Sequence, residues 1–242
     1  MQTIKSKDNK IFKSFNKLNQ KKFRDREGLF VVEGDKLLEE AVKSGANIVT
    51  VAVREDRKGD FEDAYVFDDR LFSVITDTVS SQGVIAIVRK PEPVSGIKDG
   101  NIVVLDRIQD PGNAGSIIRT CDAAGVSQII SITGTVDLFS PKVVRSCAGS
   151  IFRVPVVEMD TREAIEALAD REIIVSTPRN AVSYRDIDKD GEKALVIGNE
   201  ANGVSDEFFD AADAKVMIPM KGDIESLNAS VACGILIYEL LI

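Results

Sequence analysis

The chain has 242 residues, 44% of them apolar, which is enough for a sizeable core in one large domain or in two of ordinary size, and we expect two. Because the sequence contains no histidine, it excludes a Ser-His or Cys-His dyad, an imidazole base and an imidazole metal ligand. The net charge of −8 argues at first against a nucleic-acid partner, while three widely spaced cysteines without CxxC pairing indicate a reducing compartment and no zinc site.

Positive charge is concentrated in residues 1–26. This stretch holds nine lysines and arginines against Asp8 and Asp25, a net charge of +7, so the rest of the chain carries −15. A single helix here could pack its interleaved apolar residues on its own domain and offer its lysines to phosphates. A helix face that is simply solvated explains the same lysines without any partner.

Neither end of the chain predicts a membrane segment. The first residues, MQTIKSKDNK, lack an apolar run, and the apolar residues 231–242 are too few to span a bilayer. We therefore expect a soluble, cytoplasmic protein with no membrane partner.

Strand and helix signals alternate between residues 29 and 88. Apolar runs predict strands at 29–34, 48–53 and 83–88, and amphipathic segments predict helices at 35–44 and 68–75. Residues 90–100, KPEPVSGIKDG, combine prolines and glycines without an apolar period, which marks a linker. The pattern predicts a small α/β domain at 1–92 and a second domain at 100–242.

The second domain reads as α/β with a parallel sheet. Its strand runs are continuously hydrophobic, which is typical of a sheet covered on both faces, and they fall at 102–105, 128–131, 154–157, 172–176, 194–197 and 215–218. Helices are predicted to start at Asn113 or Ser116 and stop at Gly125, and to occupy 141–147, 161–169, 205–211 and 228–241. The last helix is apolar almost all round, which predicts a homodimer. GxGxxG and GxxxxGK[ST] do not occur, so a nucleotide-like cofactor must be held in another way.

Three loops of this domain are rich in residues that form turns, cap helices or offer amides. They read DRIQDPGNAGSIIR (106–119), IGNEANGVS (197–205) and IPMKGDIESLNASVA (218–232). Each follows an apolar run, and such junctions are where α/β proteins usually bind ligands. If each loop is considered alone, its glycines and amides can be explained as turn and helix-cap residues. Arg119 alone can be explained as a solvent-exposed residue on a helix face.

Taken together, NAGSIIR (113–119) and the second and third loops resemble the three ordered motifs of the SpoU, or TrmH-like, family of RNA ribose 2′-O-methyltransferases in the SPOUT class. Residues 17–42, KLNQKKFRDREGLFVVEGDKLLEEAV, are similar to the L30e-like substrate-binding domain that often precedes the catalytic domain. The resemblance implies an L30e-like RNA-binding domain, a trefoil-knotted α/β catalytic domain, S-adenosylmethionine as cofactor, no metal, and an active site at a dimer interface.

The resemblance also assigns two groups of residues by motif match. The first group would line the cofactor pocket and comprises Gly198, Ile218 and Leu227, with Ile197 and Thr177 as neighbours. The second would be the polar set around the ribose and the methyl donor, and it comprises Asn113, Arg119, Glu200, Ser226 and Asn228.

The implied reaction is the in-line attack of a ribose 2′-hydroxyl on a sulfonium methyl group, which depends first on alignment. The family mechanism treats Arg119 as the group that activates the hydroxyl. Because a guanidinium seldom gives up its proton, Arg119 more easily orients the hydroxyl and stabilises developing negative charge. Glu200 could accept the proton or hold Arg119 or a loop amide, and the sequence leaves these roles open.

Two further questions concern the substrate and the activity itself. We expect ribosomal RNA rather than transfer RNA, because the appended L30e-like domain suits a structured RNA element. The alternative from another class is a non-catalytic RNA-binding scaffold, which the basic N-terminus favours. The polar residues retained in all three motifs oppose it.

Overall fold

The computed structural model describes residues 2–78, 80–92, 94 and 96–242. Its α-helices are α1 (Lys10–Lys17), α2 (Lys21–Glu27), α3 (Asp35–Lys43), α4 (Asp69–Ile75), α5 (Pro111–Ala124), α6 (Pro141–Ser146), α7 (Thr161–Ala167), α8 (Asp206–Ala211) and α9 (Ala229–Leu240). Its strands are β1 (Thr3–Ile4), β2 (Leu29–Glu33), β3 (Ile48–Arg54), β4 (Tyr65–Phe67), β5 (Val84–Arg89), β6 (Ile102–Asp106), β7 (Gln128–Ile132), β8 (Val156–Met159), β9 (Glu172–Ser176), β10 (Val182–Ser183), β11 (Lys193–Gly198) and β12 (Ala214–Met217). The chain forms two compact units, Met1–Glu92 with Asp137–Phe152, and Pro93–Val136 with Arg153–Ile242.

The first unit is built around a mixed sheet with the strand order β1-β4-β3-β5-β2. Strand β5 pairs antiparallel with β2 and β3, whereas β4 pairs parallel with β3 and β1. Phe12 and Phe15 of α1 are buried against Phe67 of β4, with ring centroids 6.2 and 6.1 Å apart. The predicted small α/β domain is confirmed, and the aromatic contacts anchor its first helix.

The basic N-terminal region forms two helices instead of the single predicted one. Helix α1 ends at Leu18, whose N–H donates to the carbonyl of Phe15, and α2 begins after Gln20, whose backbone is extended. Strands β1 and β4 are not predicted either, because two or three residues are too few to show a period of two.

The segment Asp137–Phe152, which contains α6, belongs to the first unit although it lies within the second of the two predicted domains. Phe30 of β2 packs edge-on against Phe139, with ring centroids 5.2 Å apart. The buried guanidinium of Arg24 donates from Nε to Oδ2 of Asp137 at 2.8 Å. An aromatic pair and a largely buried ion pair thus hold this segment in the first unit.

The second unit contains a sheet with the strand order β10-β12-β9-β11-β6-β7-β8, and its pairs are parallel. Strands β6 and β7 are buried along their whole length, as their continuous hydrophobicity predicts. Ala164 of α7 and Phe208 of α8 pack into the core on this sheet. The predicted α/β fold with a parallel sheet is confirmed.

Helix α5 begins earlier than the sequence predicts. Its N-cap is Asp110, whose side chain accepts from the N–H of Asn113 at 2.8 Å, and Pro111 occupies the first turn, where its missing N–H is not needed. The predicted cap at Asn113 or Ser116 is therefore wrong, and the side chain of Asn113 makes other contacts. The predicted stop is confirmed, because Gly125 adopts the left-handed conformation that ends the helix.

The remaining differences are small. Strand β8 begins at Val156 and not at residue 154, because Pro155 has no N–H for the ladder and contributes only its carbonyl, which accepts from Ile129. Helix α9 starts after Asn228, as predicted. In the described part of the chain, no helix is long and apolar enough to cross a membrane.

Candidate functional site

The carboxyl ends of four parallel strands meet at one edge of the second sheet. Gly198 at the end of β11 pairs with Asp106 at the end of β6, and Val216 of β12 pairs with Ser176 of β9. A cavity of about 500 Å³ opens among the residues at and after the ends of β9, β11 and β12. This edge is the usual ligand site of an open α/β sheet.

Eight of the ten residues assigned by the family resemblance line this cavity. They come from the end of β9, the loop after β11, and the segment between β12 and α9, and they are Thr177, Ile197, Gly198, Glu200, Ile218, Ser226, Leu227 and Asn228. Asn113 adjoins them through hydrogen bonds, whereas Arg119 does not line the cavity. Segments far apart in the sequence therefore converge on one site.

The loop after β11, residues 199–203, is closed by two backbone hydrogen bonds between Asn199 and Gly203, at 3.0 and 2.9 Å. Oδ1 of Asn199 accepts from the N–H groups of Ala201 and Asn202, both at 3.0 Å. A side chain at Gly198 would overlap the backbone of Gly203. The loop can fold against the end of β11 only because glycine is present there.

Asn113, Glu200 and Asn228 form a chain of hydrogen bonds that joins the three motifs. Nδ2 of Asn228 donates to Oδ1 of Asn113 at 2.8 Å, and Nδ2 of Asn113 donates to Oε1 of Glu200 at 2.9 Å. Asn228 also caps α9, since its Oδ1 accepts from the N–H of Ser230 at 2.9 Å. These contacts tie the first turn of α5 to the first turn of α9.

Glu200 also holds the loop that precedes α5. Its carboxylate accepts from the backbone N–H groups of Gln109 at 3.0 Å and Asp110 at 3.1 Å. Partial burial raises the pKa of Glu200, but hydrogen bonds from Asn113, Gln109 and Asp110 outweigh it and leave the pKa below its ordinary value. Glu200 is thus a carboxylate at neutral pH, and its oxygens already accept three N–H groups.

Arg119 is exposed on α5, which packs against α9. Helix α9 buries one side, including Cys233 and Leu236, and leaves apolar side chains on the other. Val231 and Tyr238 are 50% and 53% exposed, and their spacing of seven residues places them along one face of α9. Ile242, which follows the end of the helix, is 68% exposed. The predicted apolar helix therefore has an uncovered apolar face in the single chain.

Asp106 is a functional candidate that the motifs do not single out. Its buried side chain accepts from the N–H of Ser205 at 2.6 Å and from Nε of Arg107 at 3.0 Å. Arg107 has a φ of 60°, and its carbonyl accepts from Nδ2 of Asn199 at 2.8 Å. These contacts hold both ends of the loop after β11 to β6. The signal in the sequence is a carboxylate placed directly after a fully apolar strand.

The cavity combines apolar walls with carboxylates. Ile197, Ile218 and Leu227 provide apolar surface, and Glu200 and Glu225 add negative charge. Among the described residues that line it, none is a lysine or an arginine. This lining suits a ligand with a flat apolar body and a positive charge.

The cysteines are not arranged for nucleophilic catalysis. Burial raises the pKa of the thiols of Cys121 and Cys233, which keeps them protonated and unreactive at neutral pH. Within the residues that the structure covers, no group of three or more cysteine, aspartate and glutamate side chains could hold a metal ion.

Comparison with known proteins gives two family matches. The SpoU rRNA Methylase family matches residues 100–238, and the MRM3-like substrate binding domain matches residues 9–86.

Individual relatives match over nearly the whole chain. The 23S rRNA (guanosine(2553)-2′-O)-methyltransferase RlmP of Bacillus subtilis is 34% identical, with 99% of each chain covered. The AdoMet-bound rRNA methyltransferase of Sinorhizobium meliloti has a TM-score of 0.88 at 32% identity, covering 99% of this chain and 97% of that one. AviRb of Streptomyces viridochromogenes, a SpoU methyltransferase in complex with AdoMet, has a TM-score of 0.85 at 27% identity, covering 96% and 97%. The resemblance first indicated by three motifs is confirmed, and the chain belongs to the SpoU rRNA methylase family.

Proposed function

We propose that the protein transfers a methyl group from S-adenosylmethionine to a ribose 2′-hydroxyl of RNA, and that this RNA is ribosomal. The hydrogen-bonded chain of Glu200, Asn113 and Asn228, which joins the three motifs beside the cavity, carries the proposal. The similarity to a 23S rRNA 2′-O-methyltransferase supports the substrate class. Transfer RNA stays the alternative, since other relatives are described as tRNA/rRNA methyltransferases.

The residues around the cavity fit the cofactor. S-adenosylmethionine supplies an electrophilic methyl group on a positively charged sulfur. Ile197, Ile218 and Leu227 would bury its adenine, and Glu200 and Glu225 favour a cationic ligand over a neutral one. The absence of cationic side chains among the described lining residues agrees with this assignment.

Arg119 orients the 2′-hydroxyl and stabilises the negative charge that develops on its oxygen. A guanidinium keeps its proton near neutral pH, so Arg119 is not the base. The three hydrogen bonds that Glu200 accepts support a role in holding the loops in place. The proton therefore passes to water or to a phosphate oxygen of the substrate.

The site is completed in a homodimer formed through α9. Two observations support this step. Arg119 is exposed and does not line the cavity of its own chain, and α9 leaves its apolar side chains Val231 and Tyr238 in solvent. Covering an apolar face of this kind drives association. In such a dimer Arg119 of one protomer would serve the cavity of its partner.

The two family matches support different functions for the two parts of the chain. Residues 1–92 bind RNA, and residues 100–242 form the catalytic domain, for which family membership supports a trefoil knot. Free cysteines, all three of them buried, support a cytoplasmic location.

The test is methyl transfer from labelled S-adenosylmethionine to purified 23S rRNA, 16S rRNA and transfer RNA, followed by mapping of the 2′-O-methylated position. We expect label in ribosomal RNA, resistant to alkaline cleavage at one position. Label confined to transfer RNA would overturn the substrate class. The scaffold alternative predicts no heat of binding when S-adenosylmethionine is titrated into the protein.

A further inference from the structure

We propose that an exposed basic patch at the start of the chain binds the phosphate backbone of RNA. The patch consists of the exposed cations of β1, α1, α2 and their connections, namely Lys5, Lys7, Lys10, Lys13, Lys21, Lys22 and Arg26. This inference rests on the proposed function, because it names the surface with which the first unit holds the RNA.

The folding of α1 separates apolar from basic residues. Phe12 and Phe15 are buried in the core of the first unit. Lys10, Lys13 and Lys17 follow each other at spacings of three and four residues, which places them on the opposite face of the helix. The helix is therefore fixed by its aromatic residues, and its lysines point away from the core.

The carboxylates near the patch are already paired. Asp8 binds Lys13 at 3.1 Å, and Glu27 binds Lys17 at 2.6 Å and Arg26 at 3.0 Å. Asp25 is paired with Lys90, a cation from outside this stretch, at 2.8 Å. These carboxylates therefore leave much of the positive charge uncompensated.

Lys5, Lys7 and Lys10 have no acidic partner among the residues that the structure describes. Elsewhere in the first unit some arginines are neutralised locally, as the ion pairs of Arg54 with Asp56 at 2.7 Å and of Arg57 with Asp35 at 3.0 Å illustrate. Positive charge thus accumulates at one place in a protein whose net charge is −8. An anionic partner would release the mutual repulsion of these lysines.

Side chains between the lysines favour RNA over other anions. A helix that inserts into an anionic membrane needs exposed apolar residues, whereas Phe12 and Phe15 of α1 are buried and Ile11 is partly buried. The last turn of α1 and the connection to α2 instead expose amides, which can hydrogen-bond to bases and sugars. The ring of Phe23 lies 4.9 Å from Nζ of Lys22 and 4.8 Å from Cζ of Arg26, and the exposed amides are Asn16, Asn19 and Gln20.

The test compares two triple variants of the full chain. The patch variant is Lys5→Gln with Lys7→Gln and Lys10→Gln, and the control is Lys58→Gln with Arg70→Gln and Lys98→Gln, three exposed cations outside the patch. Both lose the same charge. Binding to deproteinised bacterial 23S rRNA is measured by filter retention at several salt concentrations.

We expect the patch variant to bind RNA about tenfold more weakly at low salt, and the slope of log Kd against log salt to fall by about two to three, because each lost phosphate contact removes nearly one unit. The control should bind like the wild type, and both should unfold at the wild-type temperature. Equal binding by the two variants would overturn the patch, as would lost binding to phosphatidylserine vesicles with unchanged binding to RNA.

The same variants separate this inference from the proposed function. S-adenosylmethionine binding by calorimetry should be unchanged in both, and the patch variant should raise the KM for RNA without lowering kcat. A wild-type protein that binds RNA through the patch but transfers no methyl group would support the patch and overturn the enzyme. Methyl transfer with the same KM for RNA in both variants would support the enzyme and overturn the patch.

Discussion

At the scale of single residues, Glu200 ties the loop before α5 to the loop after β11. One carboxylate accepts from the backbone of Gln109 and Asp110 and from the amide of Asn113. A group that is saturated in this way is a poor proton acceptor, because protonation would break the hydrogen bonds that favour its charged form. Its contribution is to fix the start of α5 relative to the loop after β11.

Replacing Glu200 by glutamine should therefore destabilise the protein. The glutamine amide has one acceptor oxygen where the carboxylate had two. Its NH2 group would therefore face the backbone N–H of Gln109 or of Asp110, and neither of two facing donors could form a hydrogen bond. Because Glu200 is partly exposed, we expect a loss of about 1 kcal/mol in the free energy of unfolding, measured with urea near neutral pH. Glu166→Gln, on an exposed face of α7, serves as the control and should be close to neutral.

The effect should depend on pH with a defined sign. The folded-state pKa of Glu200 is lowered from 4.5, so its stabilisation is present above about pH 4.5 and is lost as pH falls through the folded-state pKa. The difference between Glu200→Gln and the wild type should shrink over that range. A difference that stays constant down to acid unfolding would contradict the role assigned to the carboxylate.

Arg119 is the second residue whose role can be tested alone. Arg119→Ala should reduce methyl transfer by at least about a thousandfold, since it removes charge stabilisation at the reacting oxygen, while the dissociation constant for S-adenosylmethionine changes little. Single-turnover methylation and calorimetry measure the two effects. Arg162→Ala, another exposed arginine of the second unit, should behave like the wild type. Normal turnover in Arg119→Ala would remove this residue from the mechanism.

Sequence predicts residue types at the site better than it predicts their contacts. The motifs point to Asn113 and Glu200, but Asn113 could also read as a helix cap, and only the fold shows that Asp110 takes that role. Asp106 is missed because one carboxylate at a strand end resembles any other. Contacts between residues some 90 positions apart, such as Glu200 with Gln109, depend on strand order, which local patterns do not encode.

At the scale of elements, the long regular pieces follow from sequence and the short ones do not. Buried parallel strands such as β6 and β7 can be predicted because they are continuous apolar runs in the sequence. Strands of two or three residues, such as β1 and β4, form because a neighbour pairs with them. The placement of Asp137–Phe152 in the first unit depends on tertiary contacts such as Arg24 with Asp137, which no periodicity reveals.

The loop after β11 offers a test at this scale. In Gly198→Ala the new Cβ would overlap the backbone of Gly203 and Val204, so the loop must move away from the strand. We expect the dissociation constant for S-adenosylmethionine to rise at least about tenfold, with a loss of stability of about 2 kcal/mol. Gly222→Ala is the matched control, because nothing lies within 4 Å of its added Cβ. Similar affinities in the two variants would show that the close approach at Gly198 does not shape the site.

At the scale of the whole molecule, the exposed face of α9 and the position of Arg119 raise the same question. An apolar face containing Val231 and Tyr238 is costly to leave in water, and a C2 dimer would cover it with its own copy. If the dimer also brings Arg119 to the partner's cavity, each active site takes residues from two chains. A monomer would then bind the cofactor without transferring its methyl group.

Mixing two inactive variants tests this arrangement. Arg119→Ala lacks the group that we propose acts at the reacting oxygen, and Leu227→Arg places a positive charge in the wall of the cavity proposed for a cationic ligand. If Arg119 acts in the partner's cavity, a mixed dimer has one site with both defects and one intact site. Random exchange of protomers should then restore about a quarter of wild-type activity, because half the dimers are mixed and each has one working site. If Arg119 acts in its own chain, every site keeps one defect and the mixture stays inactive, and sedimentation of each variant alone verifies that the dimer is intact.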